Sequence, residues 1–484
     1  MNAKQTSTKR WVTIIIAATV VVAVITATIT ALAFSILERK TEARAPKSQV
    51  VALDETTVDP AVWGRNYPAQ YQSFMKTKEM VPGPGLFDTM HPVTQEPTDA
   101  DPRTQVMGQR TEEDPRLTHM WAGYAFAKDY RHPRGHHYML EDQRLTKRVQ
   151  DFDQPGTCLN CHASMPAVYD KAGNGDREAG FHAINKMTYA EATKLAEHPV
   201  TCIDCHDPKT MELRITRPAF ARGITALKKS QGIEDFDPNR DATHNEMRTF
   251  VCAQCHVEYY FKGDEKTLTF PWDKGIDIDD IYSYYQDAQF VDWTHAETGA
   301  PMLKAQHPEF DIWSNGIHAR NGVSCADCHM PYESQGAQKV SDHNLTTPLK
   351  TVNSSCMTCH HASDEEMIKR VEGIQGRFVH SRDQAFDALV QLIADIKAER
   401  DANGETDDVK RAWDYQRKAS FYVDYVYSEN SHGFHAPDYV QRILNDALEA
   451  CRKGQLALKG VSDDAMSASD NTLKNAEKVA KSRG

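Results

Sequence analysis

Basic residues are in deficit. Lys and Arg number 56 against 68 Asp and Glu, leaving a net charge of −12 over 484 residues. A chain of that sign carries no footprint for a nucleic-acid partner. If it handles an anion, it needs a local positive site against its own field. Core-forming residues are scarce too: the hydrophobic share is 40% and the mean hydropathy −0.60, despite one very apolar segment near the start. Without that segment, a chain long enough for about three domains has little with which to fill an interior. Either much of the backbone is irregular, or something other than side chains occupies the inside. Strand-like alternation is weak throughout, which excludes a sandwich or barrel.

Cysteine is not scarce, but almost none of it is loose. Ten of the eleven fall into five C-x-x-C-H motifs: Cys158/Cys161/His162, Cys202/Cys205/His206, Cys252/Cys255/His256, Cys325/Cys328/His329 and Cys356/Cys359/His360 (motifs 1 to 5). In C-x-x-C-H the two thiols form thioethers to the haem vinyl groups and the adjacent His ligates iron. A histidine after every second cysteine argues against a zinc or thioredoxin-type reading. Five covalent haem c groups also supply the apolar filling that the side chains lack. The remaining Cys451 reads as a small buried hydrophobe.

Residues 1–10 are polar and carry Lys4, Lys9 and Arg10, whereas Trp11 to Leu37 contains no charged residue. A helix of that length spans a bilayer. An uncleaved anchor is the favoured reading, although Ala31-Leu32-Ala33 also resembles a signal cleavage site. Arg39, Lys40 and Arg44 follow the segment as closely as basic residues precede it, so charge does not orient it. Haem attachment does, because thioethers form on the exported side in bacteria. The expected location is periplasmic, tethered or released.

Residues 38–60 read as a polar linker with Pro46 and Pro60, and residues 61–365 as the five-haem region. The motif gaps of 44, 50, 73 and 31 residues have no fixed period, which excludes a repeat array. Beyond residue 366 the character changes. Phe386, Leu389, Val390, Ile393 and Ile396 follow a helical period, Trp413–Ser428 is aromatic-rich, and Ala436-Pro437 opens a helix with Val440, Ile443, Leu444, Ala447 and Leu448 on one face. Residues 366–460 are therefore expected to be long packing or dimerisation helices, and 461–484 a disordered polar tail. The predicted fold class is mainly α with much irregular coil and very little sheet.

A haem that only passes electrons has both axial positions filled, and one that does chemistry keeps one free. Beyond the five motif histidines, sixteen remain. Local context singles out His136, His318, His343 and His435; His432 lies close enough to His435 to compete with it. Four distal ligands for five haems leave one haem open.

Several segments carry a resemblance. Cys252-Ala253-Gln254-Cys255-His256-Val257-Glu258-Tyr259-Tyr260-Phe261 is similar to the third haem motif of the ammonia-forming cytochrome c nitrite reductases. Leu303-Lys304-Ala305-Gln306-His307-Pro308 resembles that family's calcium and active-site segment. Trp121-Ala122-Gly123-Tyr124, continuing through Arg131 to His136, and Gly433-Phe434-His435 match further segments. Together they cover roughly residues 63–450. The resemblance implies that Arg131, Tyr259 and His307 line the open face of the first haem. It further implies that Glu258 and Gln306 bind one calcium ion through side chains, and Tyr259 and Lys304 through carbonyls. His136, His318, His343 and His435 become the distal ligands of the other haems, without assignment to a particular one. A homodimer and an electron-donor cytochrome, either membrane quinol-oxidising or soluble multihaem, are implied as partners.

On that reading nitrite, bound to iron through nitrogen, takes hydrogen bonds from cationic Arg131 and His307, and protons come from His307 and Tyr259. Calcium is satisfied by oxygen donors and adds positive potential. The Lys304 side chain reads equally as an ordinary solvated charge. One departure stands out: most of the family attach the catalytic haem through C-x-x-C-K, whereas motif 1 ends in His162. The alternatives are an electron-transfer cytochrome without catalysis, or the same site acting on hydroxylamine, nitric oxide or sulfite.

Overall fold

The structure is a computed structural model that describes residues 3–44, 49–87, 91–336 and 338–466. It divides into two units, Met1–Ala52 and Leu53–Gly484. In the first, helix α1 runs from Ala3 to Arg44. Its stretch Trp11–Leu37 is long and apolar enough to cross a membrane, and none of it is buried within the chain. At 1.5 Å per residue those residues reach roughly 40 Å, beyond the ~30 Å hydrocarbon core. The expected linker begins later than the composition indicated, because residues 38–44 continue the helix. Their Lys, Glu and Ala content favours helix as well as it favours solvent.

The second unit is helical with four isolated two-stranded ladders. Through residue 360 its helices are short and joined by irregular chain. Most are cut by Pro, Gly or a haem motif before a third turn forms, as sequence composition requires. The pair β1 (Tyr260–Lys262) and β2 (Thr267–Thr269) follows motif 3, and α2 (Ile278–Asp287) packs beyond it.

Three long helices close the chain: α3 (Asp364–Asn403), α4 (Asp407–Ser428) and α5 (Pro437–Ala457). Ser363 caps α3 in a reciprocal box with Glu366, Gly404 ends it at φ +76°, and Pro437 opens α5. Phe386, Leu389, Ile393 and Ile396 of α3 are buried, as are Val440, Ile443, Leu444 and Ala447 of α5. Val390 and Leu448, expected on the same faces, are only half-buried. Cys451 is buried in α5. A Cβ on Gly454 would stand 2.9 Å from Leu392, so glycine there lets α3 and α5 approach closely. The second half of α4 is enclosed almost all round, from Gln416 to Ser428. The expected disordered tail is ordered where it begins, with Met466 buried; residues 467–484 lie outside the described residues.

Candidate active site

Four of the five motif histidines face one of the four singled-out histidines across a nearly constant gap. Ring centroids are 6.1 Å apart for His256 and His136, and 6.3 Å for His206 and His343, for His360 and His318, and for His329 and His435. An imidazole nitrogen lies about 1.1 Å from its ring centroid and about 2.0–2.1 Å from a bound metal. One metal held between two imidazoles therefore needs a centroid spacing of roughly 6.2 Å. The chain holds that opening at four places. This pairing, left open by the sequence, is set by long-range packing. The His136 turn, for example, rests on Gly135 at φ +104°, tight against the Thr77 carbonyl. Gly316 sits so close to the His435 carbonyl that no Cβ fits, which brings the loops of His318 and His435 together.

The motif cysteines are not equally enclosed. Nine of the ten are buried or half-buried, but Cys359 of motif 5 is exposed. Motif 5 closes the irregular part of the chain at the surface, just before it turns into α3, and Thr358, His360 and His361 are exposed with Cys359.

The histidine of motif 1 differs in another way. Among the described residues, no histidine ring stands across from His162 at the paired spacing. Its Nδ1 lies 3.3 Å from the Met139 carbonyl. His307 is half-buried, and desolvation pushes it down to about 4; Glu309 opposes the fall, and the His256 and His162 rings and Lys304 add to it. Tyr259 is raised well above the ordinary phenol value by burial, with Cys161 and Cys158 close enough to contribute. Tyr259 and His307 thus converge on motif 1. Arg131 is held apart: it donates to the Met107 carbonyl at 2.7 Å and pairs with buried Asp129 at 3.4 Å. No hydrogen bond or ion pair joins it to Tyr259, His307 or His162 among the described residues. With its imidazole pushed down to about 4, His307 offers an N–H rather than a charge at pH 7.

The 258 and 304–306 segments meet as expected. Glu258 is fully buried and accepts from the Gln306 N–H at 2.7 Å and the Tyr285 hydroxyl at 2.8 Å. The Gln306 amide reaches the Lys304 carbonyl at 3.4 Å. Burial drives the Glu258 carboxyl well above its usual range and pushes Asp292 and Asp311 to about 7 each. Asp424, also buried, is raised. Lys304 and Arg417 are the cations set against these four crowded carboxyls among the described residues, so the cluster is short of positive charge. The oxygens of Glu258 and of the Gln306 side-chain amide, with nearby backbone carbonyls, are hard donors of the kind calcium takes, although no group of three or more His, Cys, Asp or Glu side chains gathers to hold a metal among the described residues. The solvated reading of the Lys304 side chain is overturned. Its ammonium is 1% exposed, lies 2.8 Å from Asp424 and sits 4.7 Å from the Phe126 ring centroid.

Residues 59–483 match the cytochrome c552 family. A cytochrome c-552 from Parabacteroides distasonis is 38% identical over 81% of this chain and 74% of its own length. One from Porphyromonas gingivalis is 35% identical over 92% and 86%. The chain belongs to the cytochrome c552 family. A solved structure, the catalytic subunit of the cytochrome c nitrite reductase from Desulfovibrio desulfuricans, described with two calcium sites, superposes with a TM-score of 0.70. It is 28% identical, and the match covers 87% of this chain and 89% of that one.

Several residues outside the sequence motifs shape the site. His432 is no competitor for His435: it stacks on Phe87 with ring centroids 3.8 Å apart, and no motif histidine faces it among the described residues. Arg217 is buried against Asp204 of motif 2 at 2.7 Å and donates to the Asn160 and Ala163 carbonyls of motif 1, tying the two motifs together. Arg148 lies over Phe126 at 4.3 Å, beside motif 1. Glu309 and Glu429 stand at the Nδ1 atoms of His256 and His435, at 3.6 and 2.6 Å. Nothing marks these residues in the sequence, where each is one acid or base among 124 charged groups (56 basic and 68 acidic).

Proposed function

We propose that this chain is a dissimilatory, ammonia-forming nitrite reductase that delivers six electrons from four closed haems to one open haem. The observation that carries the reading is the asymmetry of the histidines: four motif histidines have an opposing ring at 6.1–6.3 Å, and His162 has none among the described residues. Each of the five motifs would hold one haem c through its two cysteines. His256 with His136, His206 with His343, His360 with His318, and His329 with His435 would ligate four of them from both sides, and His162 alone would ligate the catalytic one.

When bound, the haem of motif 1 supplies an iron that takes the substrate's nitrogen and accepts electrons from its neighbours. The rest falls to side chains. Arg131 provides the permanent cation for the nitrite oxygens. Its hydrogen bond to Met107 and its pairing with Asp129 fix the guanidinium without neutralising it fully. Tyr259, kept protonated by burial, donates through its hydroxyl, and neutral His307 donates an N–H. Six electrons and eight protons convert nitrite to ammonium and two waters, so proton donors beside the oxygens are required at each N–O cleavage. Glu258, Gln306 and the carbonyls of Tyr259 and Lys304 would hold a calcium ion, which would steady the segments that carry Tyr259 and His307 and supply positive potential that the acidic chain lacks.

The haem-bearing body, residues 61–365, acts on the exported side of the membrane, anchored by residues 11–37 or released. Residues 366–460 pack against it and form the contact of a homodimer, and the donor is a quinol-oxidising or soluble multihaem cytochrome. Turnover with a reduced dye and nitrite, with ammonium quantified, tests the activity. Ammonium in one-to-one yield supports it; nitrite consumption without ammonium, or none at all, refutes it.

A further inference from the structure

The Nδ1 atoms of the paired histidines do not all face the same kind of acceptor. His206 lies 2.9 Å from the Met211 carbonyl, His343 2.8 Å from the Ser341 carbonyl, and His329 3.0 Å from the Thr346 carbonyl. At His435 and His256 the neighbour is instead a carboxylate. Glu429 Oε1 is 2.6 Å from His435 Nδ1, an ion-pair contact without hydrogen-bond geometry, and the glutamate is completely buried. Glu309 Oε2 is 3.6 Å from His256 Nδ1, beyond hydrogen-bond reach, and accepts no hydrogen bond among the described residues. Its other oxygen accepts from Asn430 Nδ2 at 2.6 Å. Glu429 is steadied by Ser431, whose N–H and hydroxyl reach its two oxygens at 2.9 and 2.7 Å. The same hydroxyl accepts from the His435 N–H at 2.9 Å. One tripeptide at the end of α4, Glu429-Asn430-Ser431, therefore positions both carboxylates.

A buried carboxylate beside an imidazole ligand raises its basicity more than a neutral carbonyl does, and the nearby negative charge favours the oxidised metal. We infer that Glu429 and Glu309 are positioning residues that make the centres of motifs 4 and 3 more reducing than that of motif 2, which has carbonyls at both histidines. Their place gives this a use. Cys161 of motif 1 adjoins Cys255 of motif 3, and Cys252 of motif 3 adjoins Cys325 of motif 4. A strongly reducing pair next to the open centre keeps electrons flowing onto it during a reaction that must not stall part-way.

The inference rests on the ligand pairs proposed above, so the experiment begins with the untouched holoprotein. Its haem content and its low-spin bis-His signals are recorded first; if those signals are missing, the ligand reading itself fails. Glu429→Gln and Glu309→Gln, each nearly isosteric, are then titrated spectroelectrochemically with EPR monitoring. Each is expected to move one couple to more positive potential by at least a tenfold change in its reduction equilibrium, about 59 mV for one electron. The motif 2 couple stays in place, and Glu429→Asp and Glu309→Asp return the shifted couple toward its original value. Full haem content with every couple unmoved in both Gln variants overturns the inference while leaving the ligand reading intact. Should one Gln variant fail to assemble, the other carries the same test.

Discussion

Lys304 shows how far burial can take a side chain from its reading as an ordinary solvated charge. Its ammonium is buried against Asp424, Ser428 and the Ala305 carbonyl. Lys304→Met leaves Asp424 as an unpaired buried carboxyl and is expected to destabilise the fold by about 3–5 kcal/mol in chemical denaturation; a change under about 1 kcal/mol contradicts the pairing. At the open face the expected effects are on rate. Tyr259→Phe or His307→Ala lowers nitrite turnover by about 10²-fold or more while all five haems stay attached, measured by dye-linked assay and haem stain. Unaltered turnover removes the residue from the reaction. The five motif histidines and their four partners are legible residue by residue, because haem attachment and local context mark them. Which partner meets which motif is not, because paired histidines lie between 42 and 137 positions apart in the chain and only packing decides. Glu309, Glu429 and Arg217 are invisible for a different reason: an acid or base acquires its role only from what burial places beside it.

Among the elements, the long carboxy-terminal helices are the most legible, since period, cap and breaker signals agree. The apolar face of α3 predicts four buried positions correctly and errs at Val390, where the face turns toward a shallow cavity shared with His119 and Lys397. Leu389→Ala, removing a fully buried side chain, is expected to cost about 2–5 kcal/mol, against little change for Val390→Ala. Equal losses in thermal unfolding contradict that assignment of faces. The haem-bearing part is held differently, by ion pairs across irregular chain. Arg103 joins Asp101 at 2.7 Å to Asp142 at 2.8 Å, and Asp142 also takes Arg134 at 2.6 Å, just before His136. The bidentate Arg103 contact holds the Asp101 carboxyl well below the usual carboxylate range. A depressed carboxyl contributes stability above its unfolded value, near 4, and loses it as pH falls through the folded value. Asp101→Asn is therefore expected to flatten the acid limb of the stability profile below about pH 4, and an unchanged limb contradicts the linkage.

For the molecule as a whole, scarce core residues, five motifs and a single long apolar run point to a mainly helical, haem-filled body behind a membrane-length helix. The helical architecture and the family match agree with that. The helix beyond residue 37 and the buried Met466 show where composition misjudges the margins. A motif specifies which atoms bond to a haem, but how deeply it sits depends on what the rest of the chain folds over it. The central claim is that the five centres are unequal, four closed between paired histidines and the one on His162 open. EPR of the oxidised holoprotein tests it most directly. Four low-spin bis-His haems are predicted beside one five-coordinate or weakly ligated haem whose signal changes when nitrite is added; a spectrum of five low-spin haems indifferent to nitrite would contradict it.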